Sequence, residues 1–375
     1  MSGLMDLIWP GAFIVQSIHV VARLGVADLL GPEPQSAEEL ADAVDAHAES
    51  LRHVLRALTT LGIFSEDDAG RFRHTDLSRT LRADSVGSVR AWALMFGAHF
   101  VWRPLGDLYE SVRNGTPGFP RLYGEPFFEW CKTHPEDASV FNAAMSSGSA
   151  RRLPAILAAY DFSRFKCLVD VGGGHGALLA GILSASPNAR GVLYDLPNVV
   201  AGADALSAPD IAGRCEIVAG DFFETVPADG DAYLLSRVIH DWDDDAALTI
   251  LVNCRRRMGF DGRLLLFEGV SKPPNEPDPN KFFDVWFIDG GGRERTEAEY
   301  RTLLHRAGFT LARVVSTGSA SAILEGHPSL DCPLVGERPV TALPRPLGAA
   351  KRTTAHHPPV ASRIWPPAPP RKARR

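Results

Sequence analysis

The sequence predicts an α/β protein: a mostly helical, winged-helix-like N-terminal domain followed by a Rossmann-like sheet with helices on both faces. Three observations carry this prediction. A helix–helix–hairpin pattern occupies residues 36–74, and strands alternate with helices from residue 165 onward. Between the first of those strands and its helix lies a glycine-rich turn, Asp170-Val171-Gly172-Gly173-Gly174-His175-Gly176. The chain has 375 residues, and a single core seldom exceeds about 250–300, so more than one domain is expected.

Residues 7 to about 130 read as helical with one short β interruption. Ile14, Ile18, Val21, Val26 and Leu29–Leu30 recur at helical spacing and give the opening segment an apolar face. The uncharged run 7–22 is interrupted by Pro10, Gln16 and His19 and has no basic stretch before it, so neither a spanning helix nor a signal peptide is expected. Ser36 with Glu39 forms a capping box that opens a helix to Val44. A second helix spans 49–61, with Leu51, Val54, Leu55, Leu58 and Leu61 on one face and Gly62 ending it. Residues 63–66 and 71–74, joined by a polar turn, read as a hairpin.

From Phe165 the predicted strands are 167–171, 190–195, 215–218, 232–236 and 263–268, with short terminal strands at 309–315 and 321–324. Helices are predicted at 177–185, 199–205, 244–258 and 297–307. The helix at 244–258 carries acids in its first turn and Arg255, Arg256 and Arg257 in its last, both favourable to its dipole. The expected division is therefore 7–100 for the winged-helix-like domain and 101–164 for a helical linker and lid region. The sheet domain spans 165–326, and a Pro- and Arg-rich tail, 327–375, is expected to be disordered.

Hydrophobic residues make up 45% and charged residues 22%, which excludes a disordered, collagenous or disulfide-scaffold protein. The net charge is −6. From Pro328 onward the chain holds nine Lys/Arg against two Asp/Glu, so the rest is distinctly acidic. An acidic body cannot meet duplex phosphates broadly, and the winged-helix-like unit has no basic face. That unit is read as a packing or dimerisation element, with nucleic acid and membrane excluded as partners. Cys131, Cys167, Cys215, Cys254 and Cys332 lack C-x-x-C spacing, which fits a cytoplasmic setting and offers no zinc site.

Four motifs fall at successive strand ends, where open α/β sheets bind ligands. The glycine turn lets a ligand approach bare backbone near a helix N-terminus. Its glycines do not follow G-x-G-x-x-G, which weakens a nicotinamide oxidoreductase reading. Asp195 ends the second strand and suits the two ribose hydroxyls of an adenosine-bearing cofactor. Gly220-Asp221-Phe222-Phe223 follows the third strand, placing an acid and an aromatic for an adenine. Ser236-Arg237-Val238-Ile239-His240-Asp241-Trp242 ends the fourth, and His240 is a candidate general base. Glu268 and Glu294 are candidates to orient its ring. Asp241 is read as a turn or cap residue.

The motifs DVGGGHG, LYDLP, GDFF and SRVIHDWDDD, followed by GGRERTEAEY, occur in order. From Trp9 to Gly326 the chain resembles the S-adenosylmethionine-dependent O-methyltransferases of small molecules, including the plant caffeate and acetylserotonin types and bacterial antibiotic-pathway relatives. The resemblance implies a homodimer with an N-terminal winged-helix dimerisation domain and a Rossmann-like methyltransferase sheet. It implies cofactor contacts at Gly172, Gly174, Asp195, Gly220, Asp221, Phe222, Ser236 and Arg237, and His240 as base with Glu268 and Glu294 in support. It further implies a substrate pocket at Phe141, Met145, Trp286 and Phe287, a hydroxylated, phenolic acceptor of aromatic or polyketide-like type, and no metal. The segment 284–292 departs from the family pattern in length and carries Asp289 and three glycines, which leaves the pocket shape open. Rival readings are a relative that runs hydroxylation or decarboxylation, and a ligand-responsive winged-helix regulator.

Overall fold

A computed structural model describes residues 3–329 apart from Ser319; the expected tail from residue 330 lies outside the described residues, as does Cys332. The opening helix runs unbroken from Leu4 to Leu24, through Pro10, Gln16 and His19. These three residues therefore do not interrupt it. Among the described residues it is the one helix long and apolar enough to cross a membrane, by length and composition alone. Only its C-terminal half is anchored in the fold: Val21 and Ala22 are buried, while Leu4, Met5, Leu7, Ile8, Trp9 and Phe13 are exposed.

Ser36 and Glu39 make the expected reciprocal capping bonds, and the helix Ala37–Ala43 follows. Helix Ala48–Thr59 buries Leu51, Leu55 and Leu58. Strands β1 (Gln35–Ser36), β2 (Phe64–Glu66) and β3 (Arg71–His74) form an antiparallel sheet in the order β1-β3-β2. Phe64 and Phe72 seal it against those helices. This is the winged-helix arrangement the sequence predicts.

Strands β4 (Cys167–Val171), β5 (Arg190–Asp195), β6 (Cys215–Ala219), β7 (Ala232–Ser236) and β8 (Arg263–Gly269) are parallel. Strands β9 (Phe309–Ser316) and β10 (Ser321–Pro328) close the sheet antiparallel, in the order β6-β5-β4-β7-β8-β10-β9. Central strands are apolar runs because both faces are covered: β4 is buried at every residue. Two apolar clusters, one on each face, hold the sheet in place.

Two boundaries differ from expectation by more than two residues, and Leu61, expected on the helix face with Leu58, lies past the helix end and is exposed. The helix expected at 199–205 is a short helix Pro197–Val200 and a separate 3-10 turn Asp204–Ser207. Gly202 divides them; a side chain there would strike the His175 ring. β10 runs on to Pro328, past the expected end of the sheet domain, because it pairs along its whole length with β9.

Candidate functional site

The chain moves outward from β4 through β5 and β6, then returns to place β7 on the other side of β4. At such a reversal the connections diverge and leave a crevice beyond the strand ends. A cavity opens there, with Gly172, Gly174, Asp195, Gly220, Asp221, Phe222, Ser236 and Arg237 on its wall. Local chemistry sets each of them. Gly174 has a φ of 60°, which a glycine adopts without strain, and its N–H donates to Asp195 Oδ2 at 2.8 Å. A β-carbon at Gly174 would meet nothing, so its backbone faces open space. Asp195 Oδ1 accepts the Leu196 N–H at 2.7 Å, leaving lone pairs on both oxygens. Burial raises the Asp195 carboxyl, and the two donors pull it back.

Asp221 Oδ1 accepts the Phe223 N–H and so fixes the turn after β6. Phe222, Phe223 and Trp242 pack edge to face on one another. Asn253 Nδ2 donates to the carbonyls of Phe222 and Phe223, which holds this aromatic wall from behind. Ser236 Oγ is buried with no partner. Asp170, beneath the glycine turn, is fully buried with neither oxygen bonded, and burial with the nearby Asp195 charge pushes it up to about 7.

His240, Glu268 and Glu294 do not line the cavity; His240 is 5% exposed, with carboxylates on both sides. Its Nδ1 is 3.4 Å from Glu294 Oε1 and 3.7 Å from Glu268 Oε2, and its Nε2 is 3.4 Å from Asp241 Oδ1. Burial, together with the charges of Arg237, Arg152 and Arg295, drives the His240 pKa well below its usual value, so the ring is neutral. Burial raises Glu268 to about 7, with the Glu294 charge adding to the rise and Arg237 opposing it. Glu294 is raised by burial and lowered by Arg237. Asp241 is raised well above its ordinary value by burial and by Glu268.

Asp241 ends the 3-10 turn Ile239–Asp241, as the turn residue expected, and its side chain also reaches the site. It lines the cavity and faces the imidazole. The loop that carries both residues is held from three directions. Glu268 Oε1 accepts the Val238 and Ile239 N–H groups, and Arg237 sits at a φ of 59°, strained for a residue with a side chain. Arg295, fully buried, donates to the Ile239 and Trp242 carbonyls and to Asp244. The His240 carbonyl accepts the Arg293 N–H at 2.8 Å, and a β-carbon on Gly292 would strike that same carbonyl.

Of the residues expected in a substrate pocket, Phe141 and Met145 line the cavity. Trp286 and Phe287 do not. Trp286 packs on Phe96 and Phe283, and Phe287 lies against the His240 ring, 4.5 Å between centroids. Asp289 of the unusual segment is buried and accepts the Ser111 hydroxyl, pinning the loop to the helices before it. Sequence reasoning singled out none of Arg152, Arg295 and Asn253, and read Asp241 for its turn alone. The arginines gave no local signal, since no motif contains Arg152 and Arg295 lies in a stretch read for its glutamate.

Known proteins match this geometry. The family model of the O-methyltransferase domain matches residues 102–310, and that of the O-methyltransferase dimerisation domain matches 9–84. The chain is 40% identical over 320 residues to a phenazine O-methyltransferase of Lysobacter antibioticus, covering 85% of this chain and 94% of that protein. It is 38% identical over 312 residues to a phenazine-1-carboxylate N-methyltransferase of Pseudomonas aeruginosa, covering 81% and 91%. An O-methyltransferase from neocarzinostatin biosynthesis, solved with S-adenosylmethionine and 2-hydroxy-5-methyl naphthoic acid, superposes with a TM-score of 0.76 at 32% identity, covering 88% and 99%. The open backbone at Gly174, the spare lone pairs of Asp195 and the unpartnered Ser236 hydroxyl suit S-adenosylmethionine. The chain belongs to the S-adenosylmethionine-dependent O-methyltransferase family.

Proposed function

We propose that this enzyme transfers a methyl group to a phenolic hydroxyl of a small aromatic metabolite, with His240 as general base. The buried His240 between carboxylates, next in the chain to the cavity-lining Asp241, is the observation that carries this reading. When bound, S-adenosylmethionine supplies an electrophilic methyl carbon; the chain must hold it and present an oxygen nucleophile. Gly172, Gly174, Asp195, Gly220, Asp221, Phe222, Ser236 and Arg237 would hold it. A phenol has a pKa near 10 and is a poor nucleophile while protonated. His240 Nε2 takes the hydroxyl proton, and Glu294 and Glu268 stabilise the imidazolium through Nδ1–H. Phe128, Phe141 and Met145 give the acceptor an apolar wall.

An aromatic acceptor accords with the phenazine and naphthoate named for the relatives. The N-methyltransferase relative supports a second reading, transfer to a ring nitrogen. We further read residues 7–100 as the dimerisation domain, 101–164 as the linker and lid, and 165–326 as the catalytic sheet. The exposed face of helix Leu4–Leu24 is then a surface of the homodimer. A cytoplasmic setting fits the four free cysteines among the described residues.

Incubating the full chain with S-adenosylmethionine and paired hydroxy- and amino-substituted naphthoates and phenazines, with products resolved by mass spectrometry, tests the reading. O-methylated products are expected. Methylation of nitrogen alone, or no transfer although S-adenosylmethionine binds, would overturn it.

A further inference from the structure

Helix Pro135–Ala159 lays one stripe along the cavity: Phe141, Met145, Ser149 and Arg152 recur at steps of three and four residues and share that face. The stripe is apolar at its start and ends in a cation. Arg152 is mostly removed from water, yet its charge is not neutralised. Its Nε is buried with no partner, and its Nη2 makes a 3.4 Å bond to Ser149 Oγ. Among the described residues no carboxylate pairs with it. Burial, and after it the Arg237 charge, lowers the Arg152 pKa to about 10, with Glu268 only partly offsetting them. A guanidinium stripped of water and left without a counter-ion is costly, and a fold keeps one where a ligand supplies the missing charge. Its planar fork of N–H donors matches a carboxylate in bidentate fashion.

We infer that Arg152 is the carboxylate-binding residue of the cavity, forming an ion pair with a ligand carboxylate while the Ser149 hydroxyl adds a second donor. The inference rests on the cofactor and acceptor reading above. Two ligands could bring that group, namely the amino-acid end of the cofactor and an acidic aromatic acceptor. The chemistry at Arg152 is the same in both, a planar anion held against a planar cation. Its consequence differs. In the first case Arg152 positions the cofactor; in the second it selects acceptors that carry an acid.

Calorimetric titration of the full-length wild type, Arg152→Met and Arg152→Lys separates these outcomes. The probes are S-adenosylhomocysteine and 5′-methylthioadenosine, which lacks the amino-acid end, then 4-hydroxybenzoate and its methyl ester. If the cofactor supplies the carboxylate, R152M weakens S-adenosylhomocysteine at least tenfold and leaves 5′-methylthioadenosine unchanged. If the acceptor supplies it, the loss falls on 4-hydroxybenzoate and spares the ester. In either case R152K recovers part of the affinity, and it carries the test should R152M fail to fold. Equal effects on both members of each pair, or no effect on any probe, would overturn the inference. Wild-type failure to bind either nucleoside would instead overturn the cofactor reading beneath it.

Discussion

The two sides of the cavity are built differently. The strand-end side, where we place the cofactor, is made of backbone turns: Gly174 and Leu196 donate to Asp195, and the Phe223 N–H donates to Asp221. Each such turn is short in sequence and repeats at a strand end. The shell around His240 is made of buried charge drawn from remote parts of the chain, with Arg237 acting on Arg152, Glu268 and Glu294, and Arg152, Arg237 and Arg295 acting on the ring. Backbone turns tolerate a lost side chain, because the amides still point the same way. A shell of buried charge does not, because every removal leaves its partner uncompensated.

The sharpest break in this comparison is expected at His240. H240A should lower kcat about 100-fold or more while leaving S-adenosylhomocysteine affinity near wild type, measured by single-turnover assay and calorimetry. An equal loss of cofactor affinity would place His240 on the other side of the cavity.

Arg295 comes next. R295M removes the donor to two loop carbonyls and the partner of Asp244, and should cost about 3 kcal/mol in chemical denaturation. A change under about 1 kcal/mol would show that Glu268 and Gly292 hold the loop without it.

Asp170 tests the cofactor edge through pH. Its carboxyl titrates near 7 in the fold against an ordinary value of 3.8, so the folded state holds its proton more tightly than the unfolded chain does. Stability is therefore greatest in acid, falls as pH rises from about 4 to 7, and is flat above. D170N cannot ionise, so its advantage over wild type should widen by about 2 kcal/mol between pH 5 and pH 8. A gap independent of pH would mean that Asp170 is solvated or paired.

The smallest effect is expected at Asp195. D195A should weaken S-adenosylhomocysteine about tenfold by calorimetry, because the Gly174 and Leu196 amides remain to meet the ligand. Abolished binding would mean that the turn depends on this side chain.

This contrast also explains what the sequence made legible. Strands β4, β5 and β7 fall where apolar runs between turn residues place them, since a strand covered on both faces writes its burial into consecutive residues. The Ser36–Glu39 capping box and the glycine turn are likewise local. Residues 199–205 misled because their apolar spacing suits a helix, whereas the helix ends at Val200 and Gly202 sits where a side chain would strike the His175 ring. No motif contains Arg152, and the motif around Arg295 carries no sign of its burial; the tertiary fold alone brings both to His240. Asp241 was in view, and its place in a turn was legible while the direction of its carboxyl was not. Adjacent residues point apart on a helix or strand, but the 3-10 turn Ile239–Asp241 lets its carboxyl fold back on the neighbouring ring.

The central claim is proton removal by His240, and methyl transfer to phenols of graded acidity tests it most directly. Wild type and H240A would be compared at one pH on phenols ranging from nearly fully ionised to nearly fully protonated. The account predicts a deficit in H240A that is large for protonated phenols and shrinks steadily toward nothing as the phenol arrives already ionised. A deficit of the same size across the series would contradict it, and would make His240 a structural residue.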